Sequence, residues 1–248
     1  MRTDRIWTKE FIILLFSNFL AALIFYLLMT SMSVYAVEQF STTKGLAGLA
    51  SSIFVIGAII SRAMAGKYMD RIGRKKLILI GLILASTAMT IYLIAFNIIA
   101  LLTIRFVHGI TCGFFSTVIS TAAVAILPTH RRGEGNAFFL LSITVSTAVG
   151  PFLANYLVYR FSYSVLFIFC IICSVVPILC ISFVKIVEAD KTAVEKEKAI
   201  DHKFGFAGFF EKKALPASII VFLASVFYAS VLSLLNVYSV ESGLGQAS

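Results

Sequence analysis

Two groups of residues in this sequence could do chemistry, and both interrupt apolar runs. The first is the stretch from Gly66 to Lys76, GKYMDRIGRKK, where the acid Asp70 stands among Lys67, Arg71, Arg74, Lys75 and Lys76. An acid in that company is expected to be paired. The cations can bond to the last carbonyls of helices or to lipid phosphates. Gly66 would let two helix ends approach closely, and Gly73 would permit a tight turn. The second group is Arg105 with His108 one turn further on, followed by Gly109 and Gly113. An arginine in hydrocarbon costs at least ~2.5 kcal/mol on insertion scales, so it either faces a cavity or partner, or snorkels to the interface. His108 either exchanges protons beside it or is a satisfied packing histidine. Gly109 and Gly113 have the spacing of a close helix contact.

This chemistry is binding and switching, not bond-breaking. The sequence has no HExxH, no nucleophile elbow and no paired acids inside an apolar run, so an enzyme is not expected. Cys112, Cys170, Cys173 and Cys180 all lie in apolar runs. The CxxC at Cys170–Cys173 lacks the polar setting that metal or redox chemistry needs, and the four are expected to be small packing residues. Neither metal nor cofactor is expected.

The elements that must position these residues follow from composition. The 248 residues are 60% hydrophobic and 13% charged, with a mean hydropathy of +0.98. A soluble domain is nearer half apolar and a quarter charged, so a lipid bilayer is the expected solvent. The net charge of +9 would suit nucleic acid in a soluble chain. Here the charges fall between apolar runs, and no nucleic-acid partner is expected. Seven runs are long enough to span: Phe11–Val37, Gly45–Ser61 with an extension to Ala65, Leu77–Ala95, Ile98–Leu127, Ala137–Tyr159, Ser164–Val184 and Ala214–Val240. Asn97 marks a tight turn. Pro151 and Pro177 fall inside helices and should kink them. With a cytoplasmic N-terminus, seventeen Lys and Arg lie on cytoplasmic segments, against Lys44 and Arg160 outside. That bias fixes the expected orientation.

Residues 1–187 are thus expected to form a six-helix bundle, residues 188–213 a cytoplasmic linker, and residues 214–248 the first helix of an incomplete second bundle. The linker's FGFAGFF, at 204–210, either lies on the membrane surface or is a solvated connector. Val34-Tyr35-Ala36-Val37-Glu38 is echoed by Val237-Tyr238-Ser239-Val240-Glu241 at the corresponding end of the seventh run. Two parallel repeats would place such an echo there, and a complete polypeptide would then run to about 400 residues.

The stretch from Gly66 to Lys76 resembles the signature loop of the major facilitator superfamily, G-x-x-x-D-R-x-G-R-[KR], with every fixed position met. The resemblance implies a transporter fold in which Gly66, Asp70, Arg71, Gly73, Arg74 and Lys75 form a conformational-switch loop. Arg105, followed by His108 and Gly109, looks like the family's second, intramembrane-arginine motif. Pro128-Thr129-His130-Arg131-Arg132-Gly133-Glu134-Gly135 is similar to the P-x-x-R-R-G-E-G turn of bacterial members. Ser142, Ser146, Gly150 and Ala154 form a small-residue stripe that should pack on a partner helix. With Pro151 it resembles the drug-exporter signature ending G-P-x-x-G, although Ala154 stands where that signature has glycine. Arg105, His108, Asn18 and Tyr26 are the expected cavity and coupling residues, beside Thr30, Ser31 and Ser33 of the first helix. Gly109, Gly113, Ser146, Gly150 and Pro151 are the expected packing residues. The resemblance implies secondary transport of small molecules in the cell membrane, as proton-coupled efflux of drug-like or amphipathic compounds. Sugar or organic-acid transport on the same fold is the alternative, and a truncated inactive fragment is another. A missing C-terminal half, or a second chain, would complete the transporter.

Overall fold

The computed structural model describes residues 5–188 and 215–227, apart from the side chains of Lys67 and Asp70. Six long helices follow one another: α1 Lys9–Phe40, α2 Lys44–Ile72, α3 Arg74–Tyr92, α4 Ile98–Ile126, α5 Arg132–Arg160 and α6 Tyr163–Ser182. A single 3-10 turn, Thr129–Arg131, precedes α5. All six contain a stretch long and apolar enough to cross a membrane. In hydrocarbon every backbone polar group must be satisfied within its own segment, which a continuous helix achieves. The chain divides into two units, Met1–Glu195 and Lys196–Ser248. The second contains a shorter apolar helix, α7, at Leu215–Phe227. The remainder of the seventh apolar run, the linker after Glu188 and the echo at Val237–Glu241 lie outside the described residues.

The helix starts are written locally. The Thr8, Thr43, Asn97 and Ser162 side chains accept from the backbone N–H three residues on, at the starts of α1, α2, α4 and α6. Such caps satisfy donors that the first helical turn leaves free. Asn97 therefore acts as a cap at the turn expected there. Pro151 and Pro177 lie inside α5 and α6, each of which continues through its proline as one helix.

Two helix pairs are held by small residues. On α4, a Cβ added at Gly109 would run into the Phe54 backbone, and one at Gly113 into Ala58 and Ser61 of α2. Gly57 of α2 returns the contact against Phe106 and Ile110. On α5, the Ser146 hydroxyl donates to the Phe19 carbonyl at 3.1 Å. A Cβ at Gly150 would lie 2.6 Å from that of Tyr26, and Ala154 is fully buried. The stripe's partner is therefore α1. Large apolar residues fill the remaining interior in two clusters, one around Leu27, Met32 and Tyr92, the other around Phe11, Ile78 and Ile119. Gly109→Leu should separate α4 from α2, because the obstruction is rigid backbone. Overpacking of that kind costs ~1–3 kcal/mol or more. The midpoint of thermal unfolding in detergent should fall by several degrees, whereas Gly48→Leu, where a Cβ meets open space, should leave it unchanged.

The apolar span within α2, Lys44–Gly66, agrees with the expected run and its extension to Ala65, and the helix itself continues through the charged stretch to Ile72, because polar residues outside the hydrocarbon can continue a helix. One expectation is corrected, that of Gly66. Gly66 is accordingly helical, and a Cβ there meets nothing within 4 Å. It makes no close helix approach among the described residues.

Candidate functional site

A cavity of about 340 Å³ opens in the first unit, walled chiefly by α1, α2 and α4. Most of its wall is apolar, including Phe25, Phe54, Ile59 and Phe115. The polar groups are few: Asn18, Tyr26, Arg62, His108 and Ser116 among them, with no Asp or Glu. This composition suits an amphipathic small molecule, for which a mainly apolar wall supplies affinity and a few polar groups fix orientation.

Asn18, Tyr26 and His108 thus stand on the cavity wall. The Asn18 amide nitrogen donates to the Ser142 hydroxyl at 2.9 Å, which ties α1 to α5. Arg105 stands elsewhere. It is fully buried and absent from the cavity lining. Its Nε donates to the Ala50 carbonyl at 2.8 Å and an Nη to the Ser51 carbonyl at 3.3 Å. The guanidinium lies 4.8 Å from the Phe54 ring centre. It neither snorkels nor points into the opening; it clamps α4 to α2 behind the wall. Hydrogen bonds and a cation–π contact replace the water it has lost.

Behind the cavity Tyr92 reaches His108. The Tyr92 hydroxyl lies 2.9 Å from His108 Nδ1. His108 is 1% exposed, and its Nε2 has no hydrogen-bond partner among the described residues. We assign the Tyr92 proton to His108 Nδ1, since no other acceptor for it occurs among the described hydrogen bonds. The imidazole hydrogen then stands on Nε2. Tyr92 and His108 thus join α3 to α4 at the cavity wall.

Arg62 is a wall residue the sequence reading passed over. It lies inside the expected extension of the second run to Ala65, where its charge was not weighed as a cavity group. The available signal was its place one turn before Gly66, on the same helix.

At the charged stretch, Gly73 takes φ 94° and ψ 147° and joins α2 to α3. α3 has no side-chain cap of its own. Glu188, beyond the end of α6, supplies one: its carboxylate accepts from the Arg74 N–H and from the Lys75 N–H at 3.0 Å. The Lys75 ammonium donates to the Ser182 carbonyl at 2.8 Å, and Arg74 to the Val187 carbonyl at 3.0 Å. Arg71 is exposed, and the pairing of Asp70 lies outside the described side chains. In the turn before α5, Arg131 and Glu134 form a two-bond ion pair at 2.9 Å.

The fold and site together define a multi-pass helical membrane protein with an internal amphipathic cavity. Its sequence matches the family model "Major Facilitator Superfamily" over residues 14–248, and the chain belongs to that family. It is 24% identical over 216 residues to the Staphylopine export protein of Staphylococcus aureus, covering 85% of this chain and 53% of that protein. It is 25% identical to the Quinolone resistance protein NorA of Staphylococcus aureus over 149 residues, covering 60% of this chain and 38% of NorA. It is 28% identical to the Putative glycerol-3-phosphate transporter 1 of Arabidopsis thaliana, covering 62% and 32%. A crystal structure of the peptide transporter POT in complex with sulfate shares the fold, at TM-score 0.63 and 18% identity, over 92% of this chain and 46% of that one. The chain thus spans about half the length, or less, of the relatives it matches.

Proposed function

We propose that the protein is a secondary active transporter in the cell membrane, with its N-terminus in the cytoplasm, that exports amphipathic small molecules in exchange for protons. The observation that carries this reading is the cavity: an apolar opening with a few polar groups, walled by α1, α2 and α4. The export direction draws on the similarity to the Staphylopine export protein and to NorA. In such folds the substrate path lies between two six-helix halves, so a second half, on the same polypeptide or another chain, closes the cavity. The stretch from Gly66 to Lys76 and its Glu188 strut then act in switching between inward and outward states, with Asp70 as a switching residue. Sugar or organic-acid transport is the second reading, favoured by the similarity to the glycerol-3-phosphate transporter.

Uptake into inside-out membrane vesicles tests the proposal. Accumulation of a fluorescent amphiphile should follow an imposed inward-acid gradient and saturate. Collapsing the gradient with an uncoupler should remove it. Equal uptake with and without the gradient would contradict proton coupling.

A further inference from the structure

We infer that the cavity selects organic anions, with Arg62 taking a carboxylate or phosphonate and His108 donating to a neutral acceptor on the same molecule. This rests on the cavity being the substrate path, as proposed above.

The wall carries a cation and donors but no acid. Arg62 is a lining residue with its side chain exposed, and among the described residues no Asp or Glu lines the cavity. The surroundings do not offset this charge. Neither α3, α4 nor α6 contains an acid, and the acids of α1, α2 and α5, namely Glu10, Glu38, Asp70 and Glu134, stand in or near the end turns. Arg105, a second cation just behind the wall, is held by carbonyls and an aromatic face, not by a carboxylate. Positive charge in a low-dielectric wall draws a counter-charge, and an anionic ligand supplies it.

His108 is the second, independent observation. It is a wall residue, almost wholly buried, and its Nε2 lacks a partner. A buried polar atom left unpaired costs free energy that a ligand acceptor would recover. With the hydrogen assigned to Nε2, the group it lacks is an acceptor. An ammonium ligand would meet the Arg62 charge and no described carboxylate on the wall, which disfavours it.

The two points have a usable separation. Along the α2–α4 contact, Arg105 bonds to Ala50, Gly109 packs on Phe54 and Gly113 on Ala58. Arg62 therefore stands about nine residues, or ~14 Å along the helix axis, from the level of His108. The long arginine side chain shortens that gap to the length of a drug-sized amphiphile. Phe25, Phe54 and Phe115 line the space and suit an apolar body.

The test uses the purified full chain in phosphatidylcholine nanodiscs and three matched probes: 4-benzoylbenzoate, 4-benzoylbenzamide and 4-benzoylbenzylammonium. The anion should bind at least tenfold more tightly than the amide, as a hydrogen bond to a charged group of ~1.5–3 kcal/mol implies. In Arg62→Gln that preference should shrink to about threefold or less while amide binding stays unchanged. In His108→Phe all three probes should weaken together, because the ketone they share loses its donor. Equal or tighter binding of the ammonium probe would overturn the anion inference and leave the cavity as the binding site. Failure of all three to bind, with benzophenone photolabelling away from α1, α2 and α4, would overturn both readings. Loss of the anion preference when phosphatidylglycerol is added would assign Arg62 to lipid headgroups and overturn it as well.

Discussion

Arg105→Ala is expected to abolish transport, with a loss of more than about a hundredfold. The guanidinium makes two hydrogen bonds to α2 carbonyls and a face contact with Phe54. Hydrogen bonds to a charged group contribute ~1.5–3 kcal/mol each, and a desolvated cation–π contact adds up to ~2 kcal/mol. The loss acts at a distance from the ligand. Without the clamp α4 is free to shift on α2, which displaces His108 on the cavity wall. Arg105→Lys should restore only part of the rate, because a point charge cannot bridge Ala50 and Ser51 as the planar fork does. Size-exclusion profiles in detergent should show both variants inserted, so that rate and folding are read separately. Full transport in Arg105→Ala would refute the clamp.

Gly73→Val is expected to have the second large effect. Its φ of 94° with ψ of 147° is a conformation that glycine alone adopts readily. A residue with a Cβ there carries ~1–3 kcal/mol of backbone strain. A Cβ would also lie 3.3 Å from the Glu188 carboxylate, which caps α3. Strain and lost capping act on one joint, where α2, α3 and the end of α6 meet. The expected outcome is a transport rate lowered at least tenfold with substrate affinity within a few-fold, because the joint lies away from the cavity lining. Gly66→Ala is the contrasting control. It replaces a helical glycine facing open space, so stability of the bundle should hold or rise by up to ~1 kcal/mol.

The spanning helices were legible in the sequence because hydrocarbon demands about 20 apolar residues and leaves few alternatives. Their ends were less so. α2 passes its apolar limit by a further two turns, since water tolerates a polar helix as readily as a loop, and nothing local to Arg62 showed that it would meet a cavity. The small-residue spacings at Gly109–Gly113 and Ser146–Gly150 signalled close packing, but which helix they met depended on tertiary arrangement. Arg105 was legible as a costly group needing partners. Its partners were not, because Ala50 and Ser51 act through backbone carbonyls, which every residue has. Tyr92 read as the apolar end of α3, and only the pairing of α3 with α4 places its hydroxyl on His108. Glu188 caps α3 from more than a hundred residues away, beyond any local signal.

As the proposed path of the transported molecule, the opening between α1, α2 and α4 should shield its wall when substrate is bound. Cysteine alkylation in vesicles tests it most directly. In a background with Cys112, Cys170, Cys173 and Cys180 replaced by serine or alanine, Ile59→Cys and Ser116→Cys place thiols on the cavity wall. Ile83→Cys places one on α3, at an exposed position outside that lining. Alkylation at 59 and 116 should slow at least severalfold when a transported compound is present, while the rate at 83 stays the same. Unchanged rates at 59 and 116 under saturating substrate would contradict the claim.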